Sequence, residues 1–230
     1  MQIEYILRVI DFETTGIPDS DTNHSVVEYA YIDISAENKF IKQRSQSLVA
    51  PSTPMDIQAL AVHHIKEKEA LDNGLSWCEA EAILLNKTDN QEIVYVAHNA
   101  PFEQEFFNPE QVKWIDTYKV ALVLYPEAPG HSNQVLKYFL GIEDQPKHHP
   151  PHRALPDCEV TTEILLRMSQ EMSFNEMIKV SKEPPFLTKI SFGKHKGEKF
   201  EDIPKDYLQW LVNQSDMDAG VIAAAHRHLN

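Results

Sequence analysis

Glycine, cysteine and positive charge are all scarce in this chain, and each scarcity narrows the field. Seven glycines in 230 residues, beside a 42% share of hydrophobic side chains, describe an ordinary globular protein and exclude a fibrous or disordered one. Only two cysteines occur, Cys78 and Cys158. Far apart and outside any C-x-x-C pattern, they define no disulfide framework and are read as free thiols. No apolar run approaches the roughly eighteen residues of a membrane span. The opening MQIEYILRVID has neither the basic stretch nor the small-residue cleavage site of a secretory signal. A cytoplasmic location without a membrane partner is the expectation. Basic residues number 21 against 35 acidic ones, a formal net charge of −14. That balance excludes a protein that grips long duplexes through a broad basic face, because phosphate neutralisation by Lys and Arg supplies most non-specific affinity.

What is present is a run of strands followed by interleaved helices. Ile3 to Ile10, Val26 to Ser35 and Phe40 to Val49 are rich in β-branched and aliphatic residues, with a polar turn at Glu37, Asn38 and Lys39, so the chain opens as antiparallel strands. Helical spacing follows at Pro54 to Ala61 and Trp77 to Asn86, and Glu92 to Ala97 reads as a short buried strand. Further helices are expected at Pro101 to Phe107, Thr117 to Tyr125 and Asn133 to Leu140, the last stopped by Gly141. A loop dense in Pro and His, Gln145 to Arg153, leads into a helix from about Pro156 to Met168. The order predicts an α/β fold, a mixed sheet flanked by helices. Near Lys182-Glu183-Pro184-Pro185 a linker divides the chain into 1–180 and 181–230. Past it Lys182, Lys189, Lys194, Lys196 and Lys199 face only Glu183 and Glu198 as far as Lys199. Phe186 to Phe192 reads as a strand, FGKHKG as a turn, Lys205 to Asn213 as a helix, and Ser215 with Asp218 as the start of a last helix, together a small basic α/β module.

Three strings carry chemistry. In VIDFETTG, Asp11 and Glu13 close the first strand, and alternate residues on a strand share a face. Two carboxylates so placed repel one another. A solvated strand end would tolerate them, and a divalent cation would turn the repulsion into chelation. In AHNAPFEQEFF, His98 and Asn99 occupy a strand-to-helix turn and Glu103 the first helical turn. A capped amphipathic helix explains Phe102, Phe106 and Phe107 but not that acid. In HRALPDCEVT, His152 lies in the loop and Asp157 near the helix start, where the helix dipole favours a carboxylate whatever its function. His148 and His149 are equally available, and a solvated loop histidine is the plain alternative. The five-residue step to an acid selects His152.

Together, and in this order, the strings resemble the motifs D-x-E-T-T-G, H-N-x-x-F-D and H-x-A-x-x-D of the DEDDh superfamily of 3′→5′ exonucleases, over roughly Ile6 to Met168. ALAVHHI, Ala59 to Ile65 with His63, resembles the segment beside the nucleotide pocket, and WIDTYKVALVLYP resembles the helix after the third exo-sheet region. SFGKHKGEKFEDIP, Ser191 to Pro204, followed by YLQWL, resembles the small appended module of the exodeoxyribonuclease X type. The resemblance implies a ribonuclease H-like fold and a 3′→5′ exodeoxyribonuclease releasing nucleoside 5′-monophosphates, in DNA repair or end processing. It implies two cations, Mg²⁺ or Mn²⁺, on Asp11, Glu13, Glu103 and Asp157, with His152 as general base.

Thr14 and Thr15 are then expected at the terminal 3′-OH and Ile17 against the last base, although Ile17 also reads as an ordinary loop hydrophobe. His63, His98 and Asn99 are expected beside the substrate. Lys194 and Lys196, with His195 and Lys199, either contact phosphates or form a solvated turn. The expected partners are DNA 3′ ends, single-stranded or frayed, and repair or replication proteins. The chain departs from the pattern at Glu103, where the family has Asp; activity is expected to persist, reduced or shifted in metal preference. Acidity itself is compatible with this reading, since carboxylates that hold cations add negative charge and the cations meet phosphate. An exoribonuclease trimming RNA 3′ ends is a second reading, because nothing local reports on the 2′-OH. A catalytically weakened module that binds DNA ends or a partner is a third, favoured by Glu103 alone.

Overall fold

The structure, a computed structural model, describes residues 3–18, 23–142 and 152–229. The Pro- and His-rich loop expected from Gln145 falls, up to residue 151, outside them. A single five-stranded sheet organises the chain. Its strands are β1 (Glu4–Thr14), β2 (Val26–Ser35), β3 (Ile41–Leu48), β4 (Gln91–Ala97) and β5 (Lys113–Asp116), in the order β3-β2-β1-β4-β5. β1 pairs antiparallel with β2 and parallel with β4; β2 pairs antiparallel with β3, and β4 parallel with β5. Every residue of β2 is buried, as a strand covered on both faces requires. β3 is the exposed edge, and its Lys42 and Arg44 discourage further strand pairing there.

Helices cover both faces. Leu7 and Val9 of β1 belong to the larger core, with Ala30, Ile32 and Ile34 of β2. Against them pack α5 (Thr117–Leu124), α6 (Asn133–Phe139), α7 (Ala154–Met168) and α8 (Phe174–Lys182). Ile10 and Phe12 point the other way, to a core closed by α3 (Trp77–Leu85) and by Phe107 just beyond α4 (Pro101–Phe106). The alternation therefore carries Asp11 and Glu13 to the Leu7 and Val9 face, under α7. α7 lies close on the strands: the buried Cys158 thiol points at the Val9 and Ala30 carbonyls, 3.6 and 3.5 Å away. Both cysteines are free. No helix among the described residues is long and apolar enough to cross a membrane.

Several expectations need correction. The first helix after β3 is α1 (Ile57–His63), not Pro54 to Ala61, because Asp56 caps it by accepting from the Gln58 amide at 2.9 Å. β5, α2 (Glu67–Asn73) and α8 were not expected. At four residues, β5 is too short to show alternation. α8, however, opens with a capping box between Ser173 and Glu176, a signal present in the sequence. Past residue 183 the strand expected at Phe186 to Phe192 is reduced to an isolated bridge between Lys189 and Lys199. A 3₁₀ turn (Phe200–Asp202), α9 (Lys205–Val212) and α10 (Ala219–Leu229) then enclose a small core of their own around Phe200, Leu208 and Leu211.

Candidate active site

The carboxyl ends of β1 and β4 open together into a cavity of about 900 Å³, the place where sheets of this type hold ligands. Asp11 and Glu13 enter it from β1, and Asp157 from the first turn of α7. One oxygen from each lies within 4.8 Å of the others. Glu103, from the first turn of α4, lines the same cavity but falls outside that close group. It is 3% exposed, and its Oε2 has no hydrogen-bond partner.

Unneutralised, the cluster resists ionisation. Burial, then Asp157, Glu13 and Glu103, hold Asp11 well above the usual carboxylate range. Burial, then Asp157 and Glu28, push Glu13 up to about 8. Burial, then Asp116 and Glu13, raise Glu103. Burial also raises Asp157, against the pull of the His152 amide. These residues fit divalent cations: three hard oxygen donors converge, and the orphaned Glu103 oxygen faces a cost that an ion or its water would remove.

The α7 end of the site is held by groups that the sequence reading passed over. Glu28 sits opposite Glu13 in the β1–β2 register. It accepts from Arg153 Nε at 2.9 Å and from the Ala154 amide at 3.0 Å. Arg153 is the residue that opens α7, so this clamp sets the height of both His152 and Asp157 above the strands. Asp157 Oδ2 accepts from the His152 amide at 2.8 Å and Oδ1 from Gln134 Nε2 at 3.2 Å. His152 itself is exposed, lines the cavity, and has a φ of 62°. A signal for Glu28 existed: one acid in the otherwise apolar VVEYA of a central strand is a buried charge that must have a partner.

The expected substrate-binding residues divide. Thr14, Ile17, His63, His98 and Asn99 line the cavity. Thr14 donates its hydroxyl to the Gly16 carbonyl at 2.7 Å. Ile17, 79% exposed, shares the rim with Ala59 and Val62. His63 is locked: its Nδ1 accepts from the Ile65 amide at 2.9 Å, so Nε2 donates to the Thr14 carbonyl at 3.2 Å. His98 Nε2 donates to the His131 carbonyl at 2.8 Å while Nδ1 meets the Thr117 hydroxyl at 2.9 Å, and burial pushes its pKa down to about 4. Asn99 turns the chain with a φ of 73°, its amide donating to Asp116 Oδ1 at 3.1 Å. Thr15 does not reach the cavity. Fully buried, it bonds Thr53 Oγ1 at 2.8 Å and accepts from the Ser25 amide at 3.0 Å, so it ties the turn to the neighbouring loop. Lys194 and Lys196 are also outside the cavity lining.

A mixed sheet flanked by helices, with acids gathered where its central strands end, defines a ribonuclease H-like nuclease. Residues 9–165 match the family described as exonuclease, and the chain belongs to that family. It is 31% identical over 218 residues to exodeoxyribonuclease 10 of Escherichia coli (strain K12), with 92% of each chain covered. It is 27% identical over 171 residues to the DNA polymerase III subunit epsilon of Treponema pallidum (strain Nichols), covering 69% of this chain and 74% of that one. Among solved structures, exonuclease X in complex with 5′ overhanging duplex DNA superposes with a TM-score of 0.64 at 30% identity, covering 76% of this chain and 99% of that chain. The protein is thus a hydrolytic nuclease, a DEDD-family 3′→5′ exonuclease. Divalent metal ions are implied for it by family and by the acidic cluster together.

Proposed function

We propose that the chain trims DNA from the 3′ end, releasing nucleoside 5′-monophosphates one at a time in DNA repair or end processing. The observation that carries this reading is the convergence of Asp11, Glu13 and Asp157 within 4.8 Å, beside a buried, unpartnered Glu103 oxygen. The names of the relatives, an exodeoxyribonuclease and a DNA-bound exonuclease X, support DNA over RNA. Asp11, Glu13, Asp157 and Glu103 would hold a pair of divalent cations, Mg²⁺ or Mn²⁺. Bound there, such a pair supplies activation of water and stabilisation of the attacking and leaving oxygens in an in-line displacement.

The chain's own groups do the rest. His152, at the solvent edge and five residues from Asp157, takes the proton of the attacking water as general base. The Thr14 hydroxyl keeps free lone pairs while donating to Gly16, so it can accept from the terminal 3′-OH. Ile17, with Ala59 and Val62, offers an apolar lip for the last base. Asn99, exposed on its turn, faces the scissile end, while His63 and His98 fix the walls. Residues 1–180 form the catalytic domain and 181–230 an appended module that supplies Lys194 and Lys196 to the strand. Cytoplasmic repair or replication proteins are the fitting partners.

The test is release of mononucleotides from 3′-labelled DNA by wild type and by Asp11→Ala, His152→Ala and Asp157→Ala, with Mg²⁺ or Mn²⁺. Each variant should lose at least about a hundredfold in kcat, the scale of a lost acid–base group or more. Undiminished rates in all three would refute the mechanism, and faster cleavage of a matched RNA strand would refute the substrate.

A further inference from the structure

Among the described residues, no Lys or Arg lines the catalytic cavity. A strand whose last phosphate lies at the carboxylates therefore needs positive charge elsewhere, since phosphate neutralisation supplies most of the affinity for nucleic acid. Residues 1–180 are a poor source of it, with twice as many acidic as basic side chains. Residues 181–230 hold seven Lys and Arg against seven Asp and Glu, so the module expected to be basic is neutral as a whole, its excess of Lys ending at Lys199, and the whole net charge of −14 belongs to residues 1–180.

Within the C-terminal segment the cations are unequal. Lys199 is paired with Glu201 at 3.1 Å, and Lys205 donates to the Leu229 carbonyl at 3.5 Å. Lys194 and Lys196 enter no ion pair among the described residues. Lys194 Nζ instead lies 4.9 Å from the centre of the Tyr207 ring. Tyr207 and Trp210, three apart on α9, hold their rings 5.3 Å apart and inclined by only 31°. Leu208 and Leu211 of the same helix face the small core, which leaves Trp210 turned outward at 49% exposure.

The arrangement is built. Gly193, with a φ of +68°, brings its loop so close to α9 that a Cβ would stand 2.7 Å from the Tyr207 hydroxyl. The His195 ring closes on Tyr207 from 4.6 Å. Two carboxylates close by in sequence have partners of their own, Glu198 with His195 at 2.9 Å and Asp206 with the Tyr207 amide at 2.9 Å. The segment is also fastened near the cavity: Asp116, which holds the Asn99 amide, has its own amide bonded to Ser181 Oγ at 2.8 Å. Lys119 Nζ donates to the Ser181 and Glu183 carbonyls at 2.9 Å each.

An outward indole, a phenol tilted against it, the unpaired Lys194 ammonium over that phenol and Lys196 on the same turn, its amide bonded to the Gly193 carbonyl at 3.2 Å, match the needs of a single strand, which offers bases to stack and phosphates to neutralise. We propose that Trp210, Tyr207, Lys194 and Lys196 form a second binding site, for single-stranded DNA upstream of the 3′ end that occupies the cavity. The inference rests on the exonuclease reading of that cavity, and deepens it by placing the grip on the strand in the appended segment.

The test uses the full chain, Trp210→Ala, Trp210→Phe and the double variant Lys194→Ala/Lys196→Ala. Affinity for a fluorescent oligothymidylate of about twenty nucleotides is measured by anisotropy in EDTA, so that no strand is cut. Trp210→Ala should weaken binding about tenfold and Trp210→Phe much less. The double lysine variant should lower the slope of log affinity against log salt by roughly one per lysine. With Mg²⁺, the wild-type KM should fall as the strand lengthens from a dinucleotide, and this fall should flatten in Trp210→Ala. Circular dichroism checks that the variants fold. Wild-type affinity and salt slope in well-folded variants would overturn the proposal and leave the patch to a protein partner. Failure of the wild type to cut DNA would instead sink the reading of the cavity.

Discussion

At the scale of single residues, Glu103 concentrates the conflict between stability and function. It is buried, lacks a partner for Oε2, and is pushed toward protonation by burial and by its acidic neighbours. Glu103→Gln keeps the shape and removes the charge. The metal-free protein should then melt higher than wild type by scanning calorimetry, while mononucleotide release falls about tenfold or more, because the negative charge is needed only when a cation is present. Glu103→Asp keeps the charge and withdraws it by one methylene from walls shaped around Glu. Lower activity than wild type is expected, and a large gain would mean that the site is impaired as it stands. His98 gives a test of pH. Its folded pKa of about 4 lies below the ordinary 6.5, so only the unfolded chain takes up the proton readily between those values. The contribution of His98 is therefore complete above about pH 6.5 and is lost as pH falls toward 4, on the order of 3 kcal/mol in full. Urea melts at pH 7 and 4.5 should show a larger acid loss for wild type than for His98→Gln, which cannot titrate.

Elements decide where those residues stand, and they explain which parts of the site were legible in advance. Asp11, Glu13, His98, Asn99, His152 and Asp157 sit at strand ends and helix starts, where local spacing reports orientation, and all line one cavity. Thr15 was expected at the 3′-OH from the family resemblance and not from any local pattern; the register shift between Glu13 and Thr14 ends the strand alternation there, and Thr15 lies outside the cavity lining. Glu28 and Arg153 were missed because their pairing spans 125 residues, a distance that no local pattern records. The strand expected at Phe186 to Phe192 failed for a related reason: without a neighbouring strand to satisfy its backbone, an extended segment is not a sheet. The Glu28 clamp makes an element-scale prediction. Glu28→Gln breaks the charge pair that seats the start of α7, and since Arg153 is 40% exposed solvent limits the stability loss to about 1 kcal/mol. The effect on kcat should be larger, about tenfold with KM nearly unchanged, because His152 and Asp157 lose their register above β1. Equal losses in kcat for Glu28→Gln and for a distant variant of similar stability loss would reduce the clamp to ordinary packing. Such a control exists in the half-exposed Lys42–Glu4 pair at the opposite end of β1; Glu4→Gln weakens that end of the sheet without touching the cavity lining.

For the whole molecule, the uneven charge links folding to metal. Residues 1–180 carry the full −14, and Asp11, Glu13, Glu103 and Asp157 line one cavity where β1, α4 and α7 meet. A cation that binds the folded cluster, and not the separated carboxylates of the unfolded chain, must stabilise the fold by mass action, about 2.7 kcal/mol at a hundred times its dissociation constant. For a chain of this size that is a rise in Tm of several degrees. Mn²⁺ or Mg²⁺ should produce it in wild type, and Asp11→Asn should abolish most of it by opening the cluster. Monovalent salt at equal ionic strength serves as the discriminating control. Screening acts mainly on exposed charges farther apart than the Debye length, about 10 Å at 0.1 M, whereas the cluster oxygens lie half-buried within 4.8 Å. If sodium chloride raised Tm as far as Mn²⁺ does, the acids would be acting only as a diffuse surface charge, and a chelating centre could not be the source of the catalysis.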